Sequence, residues 1–189
     1  MAMTRDVLKA PKGYRSREAG LFVAQLDELT QRMKQDTRGL EPRELEWQPA
    51  PGMNTIGMLL AHIAVVEVFW IQVGPLGRKR FDFRGVLGIA ADDDGLPLPP
   101  DGKPPRTLQG KRLAFFDRLV AKARAHTKRV ANRLTEADLD REVTRTRRDG
   151  TKEAFNLRWV LYHMLEHLAG HYGQILLLRH HYRAARRTS

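Results

Sequence analysis

Cysteine is absent from the 189 residues, so the chain can form no disulfide bond and can supply no thiolate ligand or thiol nucleophile of its own. The N-terminal stretch lacks the long apolar segment of a secretory signal, and no apolar run approaches the length that crosses a bilayer. From these absences we expect a cytoplasmic protein without a membrane partner. The hydrophobic fraction of 42% is enough for a core, and the length predicts one domain spanning 1–189.

The charge is strongly basic, with 33 lysines and arginines against 22 acidic residues and a formal net charge of +11. This charge is compatible with nucleic acid, an acidic partner, an anionic substrate or a solvated basic surface. Besides a predicted basic tail at 180–189, one cluster contains Arg141, Arg145, Arg147, Arg148, Lys152 and Arg158. Aromatic residues are not interleaved with the basic ones and no reading motif is present. We therefore expect no specific nucleic-acid binding and interpret the charge as a solvated face.

Four segments have the apolar periodicity of helices. Their predicted spans are 16–35, 54–74, 107–134 and a last helix that Asn156 caps. Four such helices predict an all-α, antiparallel four-helix bundle. The second helix is apolar nearly all round, on more sides than three neighbours easily cover, which favours self-association.

Residues 75–106, between the second and third helices, are predicted to form a long loop, because proline and glycine are frequent there and no period is sustained. Within it, the run "DDDG" at 92–95 lacks the alternating acidic spacing and the closing glutamate of a calcium loop. We interpret this run as a solvated turn. The pair Asp149-Gly150 predicts the turn of a small hairpin before the last helix.

The segment "HMLEHLAGHYGQ" places three of the seven histidines four residues apart in the last helix. Residues four apart lie one turn along the same face, so two of these imidazoles can bind one ion, whereas the outer two are about 12 Å apart along the axis. Relative to the apolar stripe of the helix, His171 lies at about 50°, His167 at about 90° and His163 at about 130°. The pair that can face the bundle interior is therefore His167 and His171.

A third ligand must come from another helix, and His62 is the one histidine in the middle of another apolar helix. Three neutral imidazoles leave one coordination position open, which is typical of catalytic rather than structural metal sites. The same pattern is compatible with a hydrogen-bonded core histidine at position 62 and a chance pair on the last helix. The residues alone leave both interpretations open.

Two stretches, "LEWQPAPGMNTIGMLLAHIAVVEVFW" and "NLRWVLYHMLEHLAGHYGQILLLR", resemble the DinB/YfiT-like superfamily of metal-dependent hydrolases and thiol transferases. The buried histidine of the second helix and the H-x-x-x-H-x-G-Q element of the last carry the resemblance, which extends to about Arg179. It implies a four-helix bundle that binds a divalent metal, most often zinc or nickel, through His62, His167 and His171. It also implies homodimers and, in some members, a low-molecular-weight thiol such as bacillithiol or mycothiol as cosubstrate.

The function predicted with this resemblance is a thiol-dependent S-transferase acting on a small electrophile at an open metal site. Because the chain has no cysteine, the sulfur must come from the cosubstrate. The alternatives are hydrolysis by a metal-bound hydroxide and a non-catalytic ligand- or nucleic-acid-binding bundle. Glu166 is the nearest candidate for a general base, although it lies about 100° around the helix from His167, and Glu67 is a more distant candidate. His163 falls outside the resemblance and leaves a shifted register of the ligand pair open.

Overall fold

The computed structural model describes residues 7–147 and 149–187. The helices of this part are α1 (Arg17–Thr37), α2 (Pro42–Leu45), α3 (Ile56–Val73), α4 (Phe83–Leu87), α5 (Leu113–Ala131), α6 (Glu136–Asp140) and α7 (Leu157–Ala185). A hairpin of β1 (Glu142–Thr146) and β2 (Lys152–Asn156) precedes α7. The four long helices α1, α3, α5 and α7 form a ring in which each packs against two others around one apolar core. The predicted all-α bundle is confirmed.

Helices α3 and α5 lie side by side and run parallel. Near their N-terminal ends a Cβ on Gly57 would lie 2.9 Å from the Phe116 ring, and further along both helices Glu67 binds Arg124. Helices α1 and α7 are also parallel. Glu18 pairs with Arg158 near the start of both helices, and Asp36 accepts a hydrogen bond from Tyr172 further along both. The bundle is therefore not antiparallel throughout, which corrects the sequence-based expectation. A parallel neighbouring pair requires a long crossover connection, and the segment 75–106 belongs to it.

The helix boundaries agree with the predicted ones to within a few residues except at α5. Ser16 and Asn156 cap α1 and α7 through their side chains. The cap of α3 is Thr55 rather than Asn54. Helix α5 begins at Leu113 rather than at 107, because a 3-10 turn and a glycine of positive φ interrupt the chain before it.

Helix α3 is the central helix of the core. By length and composition it could cross a membrane, with a mean hydropathy of 1.9 over 18 residues, contrary to the expectation that no apolar run approaches that length. In the structure, however, 83% of this stretch is buried inside the bundle. The apolar character of α3 therefore no longer argues for self-association, because neighbours within the chain already cover most of the helix.

Three shorter predictions concern the connections and the C-terminus. The predicted loop 75–106 contains α4 and 3-10 turns at Ala91–Asp94 and Arg106–Leu108. Helix α7 continues to Ala185, so much of the predicted tail at 180–189 is helical. The hairpin forms where Asp149-Gly150 predicted it. Arg148, a member of the predicted basic cluster, lies outside the described residues.

Candidate metal centre

Three histidines meet where α3 packs against α7. His62 comes from the second turn of α3, and His167 and His171 come from consecutive turns of α7. One nitrogen of each ring lies within 4.8 Å of the corresponding nitrogens of the other two, and all three side chains are partly buried. The two helices run antiparallel, since Trp70 near the end of α3 contacts Trp159 and His163 in the first turns of α7. The packing thus brings together the trio that the sequence singled out.

Hydrogen bonds on the outer side of two rings fix their tautomers. The Nδ1–H of His62 donates to Oδ2 of Asp94 at 2.8 Å, and the Nδ1–H of His171 donates to Oε1 of Gln174 at 2.8 Å. Since Nδ1 carries the proton in both rings, each Nε2 presents a lone pair. The Nε2–H of His167 then donates to Nε2 of His171 at 3.0 Å. A metal ion would take the place of this last proton.

The environment keeps the two imidazoles of α7 neutral. Burial lowers the pKa of His167 to about 3, and the neighbouring rings of His171, His62 and His163 add to the shift. Burial also lowers the pKa of His171, against an opposing effect of the hydrogen bond to Gln174. Neutral imidazole is the form that binds a metal ion, so protons do not compete for these two rings at pH 7.

The donor set fits a divalent transition-metal ion. Three imidazole nitrogens on two rigid helices match the ligands of a zinc site with an open position, and imidazole also suits nickel. Calcium and magnesium bind oxygen ligands, which this group lacks. Outer hydrogen bonds to a carboxylate and an amide are the usual support for metal-binding imidazoles.

His163 lies one turn before His167 but does not join the group. Its ring stacks on Trp159, with centroids 4.7 Å apart and planes 5° apart, and contacts Trp70 edge-on. Its Nδ1 lies 3.3 Å from the Glu166 carboxylate. The geometry therefore favours the unshifted pair of α7 over one that includes His163.

The two candidate carboxylates lie elsewhere. Glu166 contacts His163 on the outer face of α7, with 56% of its side chain exposed. Glu67 is buried, where it accepts hydrogen bonds from Arg124 and Thr127. Arg124 belongs to the run of basic residues on α5, yet it is itself only 5% exposed. In the described part of the chain, neither carboxylate hydrogen-bonds to a histidine of the three-histidine group.

Two surface grooves lie on the described part of the chain, and they are lined by different helices. One of about 650 Å³ lies between α1 and α5, and its lining, which includes Lys34, Arg38 and Lys128, contains no histidine. Another of about 530 Å³ lies against β2 and the start of α7, with Trp159 in its wall. Since Trp159 stacks on His163, the second groove is the one that adjoins the histidine-bearing face of α7.

Sequence reasoning missed the role of Asp94 and named Gln174 only as part of the H-x-x-x-H-x-G-Q element. Asp94 belongs to the run interpreted as a solvated turn, yet its side chain is 3% exposed. No local pattern signals this, because its partner His62 is 32 residues away. The contact of Gln174 with His171 could have been predicted from the sequence, since Gln174 follows His171 by three residues and therefore lies beside it on a helix.

Comparison with known proteins agrees with this architecture. The chain is similar in structure to a conserved protein from Enterococcus faecalis, with a TM-score of 0.59 and 16% identity over 84% of this chain and 93% of that one. At this identity the likeness shows the fold. No protein of curated function matches the sequence. The profile of the mycothiol S-transferase family matches residues 21–184, which contain all three histidines. The chain therefore belongs to the mycothiol S-transferase family, a DinB/YfiT-like family.

Proposed function

We propose that this protein is a metal-dependent S-transferase of the cytoplasm that joins a low-molecular-weight thiol, mycothiol or a close analogue, to a small electrophile. The observation that carries the proposal is the convergence of three imidazoles from α3 and α7 in a chain that matches the mycothiol S-transferase family. The absence of cysteine supports it, because the nucleophilic sulfur must then come from the cosubstrate.

The residues of the chain have separable roles in this proposal. His62, His167 and His171 would hold the ion, which when bound stabilises a thiolate at neutral pH. Asp94 and Gln174 hold two of these rings in the tautomer that leaves Nε2 unprotonated. The excess of lysine and arginine would attract an anionic electrophile as the second substrate.

The reaction conserves atoms and electrons without an oxidant or reductant. The thiol loses its proton, and a lone pair of its sulfur forms the new bond to an electrophilic carbon. The leaving group departs with the electron pair of the broken bond, or, in an addition, the proton lost by the thiol ends on the substrate. We propose Glu166 as the one remaining candidate for a general base, although its exposure and its contact with His163 predict a small effect of Glu166→Gln.

The test combines metal analysis with turnover. Protein purified without a nickel column should contain about one zinc or nickel ion per chain, and His62→Ala should contain little. Conjugation of mycothiol to chromogenic electrophiles should require the metal and fall to background in His62→Ala. The matched control is His163→Ala, the same substitution one turn from the group, which should retain both metal and turnover.

The other outcomes identify the alternatives. Turnover of electrophilic esters or amides that is metal-dependent but indifferent to added thiol would indicate a hydrolase. Metal binding without turnover over a broad panel, with or without mycothiol, bacillithiol or glutathione, would indicate a non-catalytic binding module. An absence of metal after reconstitution of the wild-type protein would refute the proposed centre.

We also propose that the protein forms a homodimer. The proposal now rests on the family resemblance and on the outer face of α7, where Leu176 and Leu177 are 39% and 56% exposed. Exposed apolar side chains that adjoin one another on a helix favour burial against a partner.

A further inference from the structure

The long crossover between α3 and α5 reaches the histidine group at one carboxylate. Asp94 ends the 3-10 turn Ala91–Asp94, and its Oδ2 accepts the Nδ1–H of His62 at 2.8 Å. Its Oδ1 accepts the amide N–H of Leu96 at 3.1 Å. Both carboxylate oxygens therefore accept a hydrogen bond, one from the crossover itself and one from His62 of α3.

This carboxylate is buried without a permanent cation beside it. Its side chain is 3% exposed, and among residues 7–147 and 149–187 its one ion-pair partner is His62. Burying an unpaired carboxylate is unfavourable, because the charge loses its hydration. A divalent ion on the far side of the His62 ring would supply the compensating positive charge through the imidazole.

The crossover's own hydrogen bonds and packing also hold Asp94 in place. The Asp93 carboxylate accepts the N–H of Ala90 at 2.7 Å, and the Thr107 hydroxyl donates to the carbonyl of Asp93 at 3.1 Å. Gly95 has a φ of +74°, and a Cβ there would lie 2.7 Å from Pro105. The turn is therefore built for this conformation and fixed on both sides of Asp94.

We propose that Asp94 is a positioning residue of the metal centre and that, through it, metal binding and the packing of the crossover are thermodynamically coupled. Asp94 holds His62 in the Nδ1–H tautomer and sets the direction of its Nε2. An ion that strengthens the Asp94–His62 hydrogen bond also holds residues 90–96 against the bundle, and by reciprocity their packing raises the affinity for the ion. The inference rests on the proposed metal centre.

The experiment measures the affinity for Zn²⁺ by chelator competition in the full-length protein. Removing an outer partner of a metal-binding histidine weakens the metal by about 10- to 100-fold, and we expect a loss in this range for Asp94→Ala. Asp94→Asn keeps the side-chain size and an acceptor for the Leu96 amide, so that the turn folds, and it should lose about tenfold. The matched control is Asp92→Asn, which removes the same charge from an exposed position of the same run and should bind as the wild type does.

Two further readouts separate positioning from a general loss of structure. The visible absorption of the Co²⁺-loaded protein should change in Asp94→Asn while the far-ultraviolet circular dichroism does not. Metal should slow hydrogen exchange at the amides of 90–96 in the wild type and in Asp92→Asn, but not in Asp94→Ala. Wild-type affinity in Asp94→Ala, or no effect of metal on exchange in the wild type, would overturn the role of Asp94 and leave the metal centre standing. No Zn²⁺ binding by the wild type would overturn both.

Discussion

The most direct test of how the bundle is held together is the substitution Glu67→Ala. Glu67 accepts two hydrogen bonds from the Arg124 guanidinium, at 2.8 and 3.0 Å, and a third from the Thr127 hydroxyl at 2.7 Å. The carboxylate joins α3 to α5, and the side chains of Glu67 and Arg124 are only 5% and 7% exposed. Removing the Glu67 carboxylate leaves the buried Arg124 guanidinium and the buried Thr127 hydroxyl without their main acceptor.

The expected loss follows from what remains around Arg124. Breaking a buried ion pair by deleting one partner costs about 3–5 kcal/mol. Arg124 keeps Asp27 at 3.0 Å, a carboxylate that is 34% exposed, and it also lines the groove between α1 and α5, where water reaches it. We therefore expect a loss near the lower limit, about 3 kcal/mol. In a chain of this length that loss lowers Tm by about 6–12 °C.

The assay is equilibrium urea unfolding in the presence of a chelator, because bound metal would add its own stabilisation. The control is the double variant Glu67→Gln with Arg124→Met, which removes both charges at similar volume, keeps an acceptor for the Thr127 hydroxyl and should lie within about 1 kcal/mol of the wild type. Asp27 then still has Lys128 at 2.6 Å. A loss below about 1 kcal/mol in Glu67→Ala, or a double variant as unstable as the single one, would refute this reasoning. Metal content should be unchanged in both variants.

Three further predictions concern pH, assembly and charge. Burial lowers the pKa of His126, with Arg129 and Arg78 adding to the shift, so the unfolded chain takes up a proton near pH 6.5 that the folded chain resists. The metal-free protein should lose stability as the pH falls below 6.5, and the urea midpoint of His126→Gln should fall less between pH 7.5 and pH 5.5 than that of the wild type. Leu177→Glu should sediment as a monomer at micromolar concentrations where the wild type sediments as a dimer, and a monomeric wild type would contradict the proposed homodimer. Nucleic-acid binding should be weak and should disappear at physiological salt, because the charge is spread over the surface; tight sequence-selective binding in a shift assay would contradict this.

The features that the sequence predicted correctly depend on local periodicity. The apolar repeat of a helix defines its buried face, and the same repeat placed His167 and His171 beside that face. The sequence likewise showed that His62 lies within an apolar helix. These inferences succeed because both patterns are set within a few turns of one helix, and the structure brings the three rings together.

The features that the sequence could not predict depend on partners far along the chain. Arg124 belongs to a run of basic residues on α5, and only the carboxylates of Asp27 and Glu67, 97 and 57 residues away, explain why it is buried. Asp94 is one of three consecutive aspartates, and its burial follows only from its contact with His62. In both cases composition indicated a solvated side chain, and hydrogen-bonded partners far along the chain explain its burial.

The topology of the bundle explains why a crossover lies beside the three-histidine group. A parallel pair such as α3 and α5 requires the chain to return along the length of α3, about 27 Å for 18 residues at 1.5 Å per residue. About nine extended residues would cover that distance, whereas the connection runs from Gly74 to Arg112. Its path runs back along α3 past His62, which lies in the second turn of that helix. The residues beyond the minimum include the 3-10 turn Ala91–Asp94, and this turn directs the Asp94 carboxylate inward to His62.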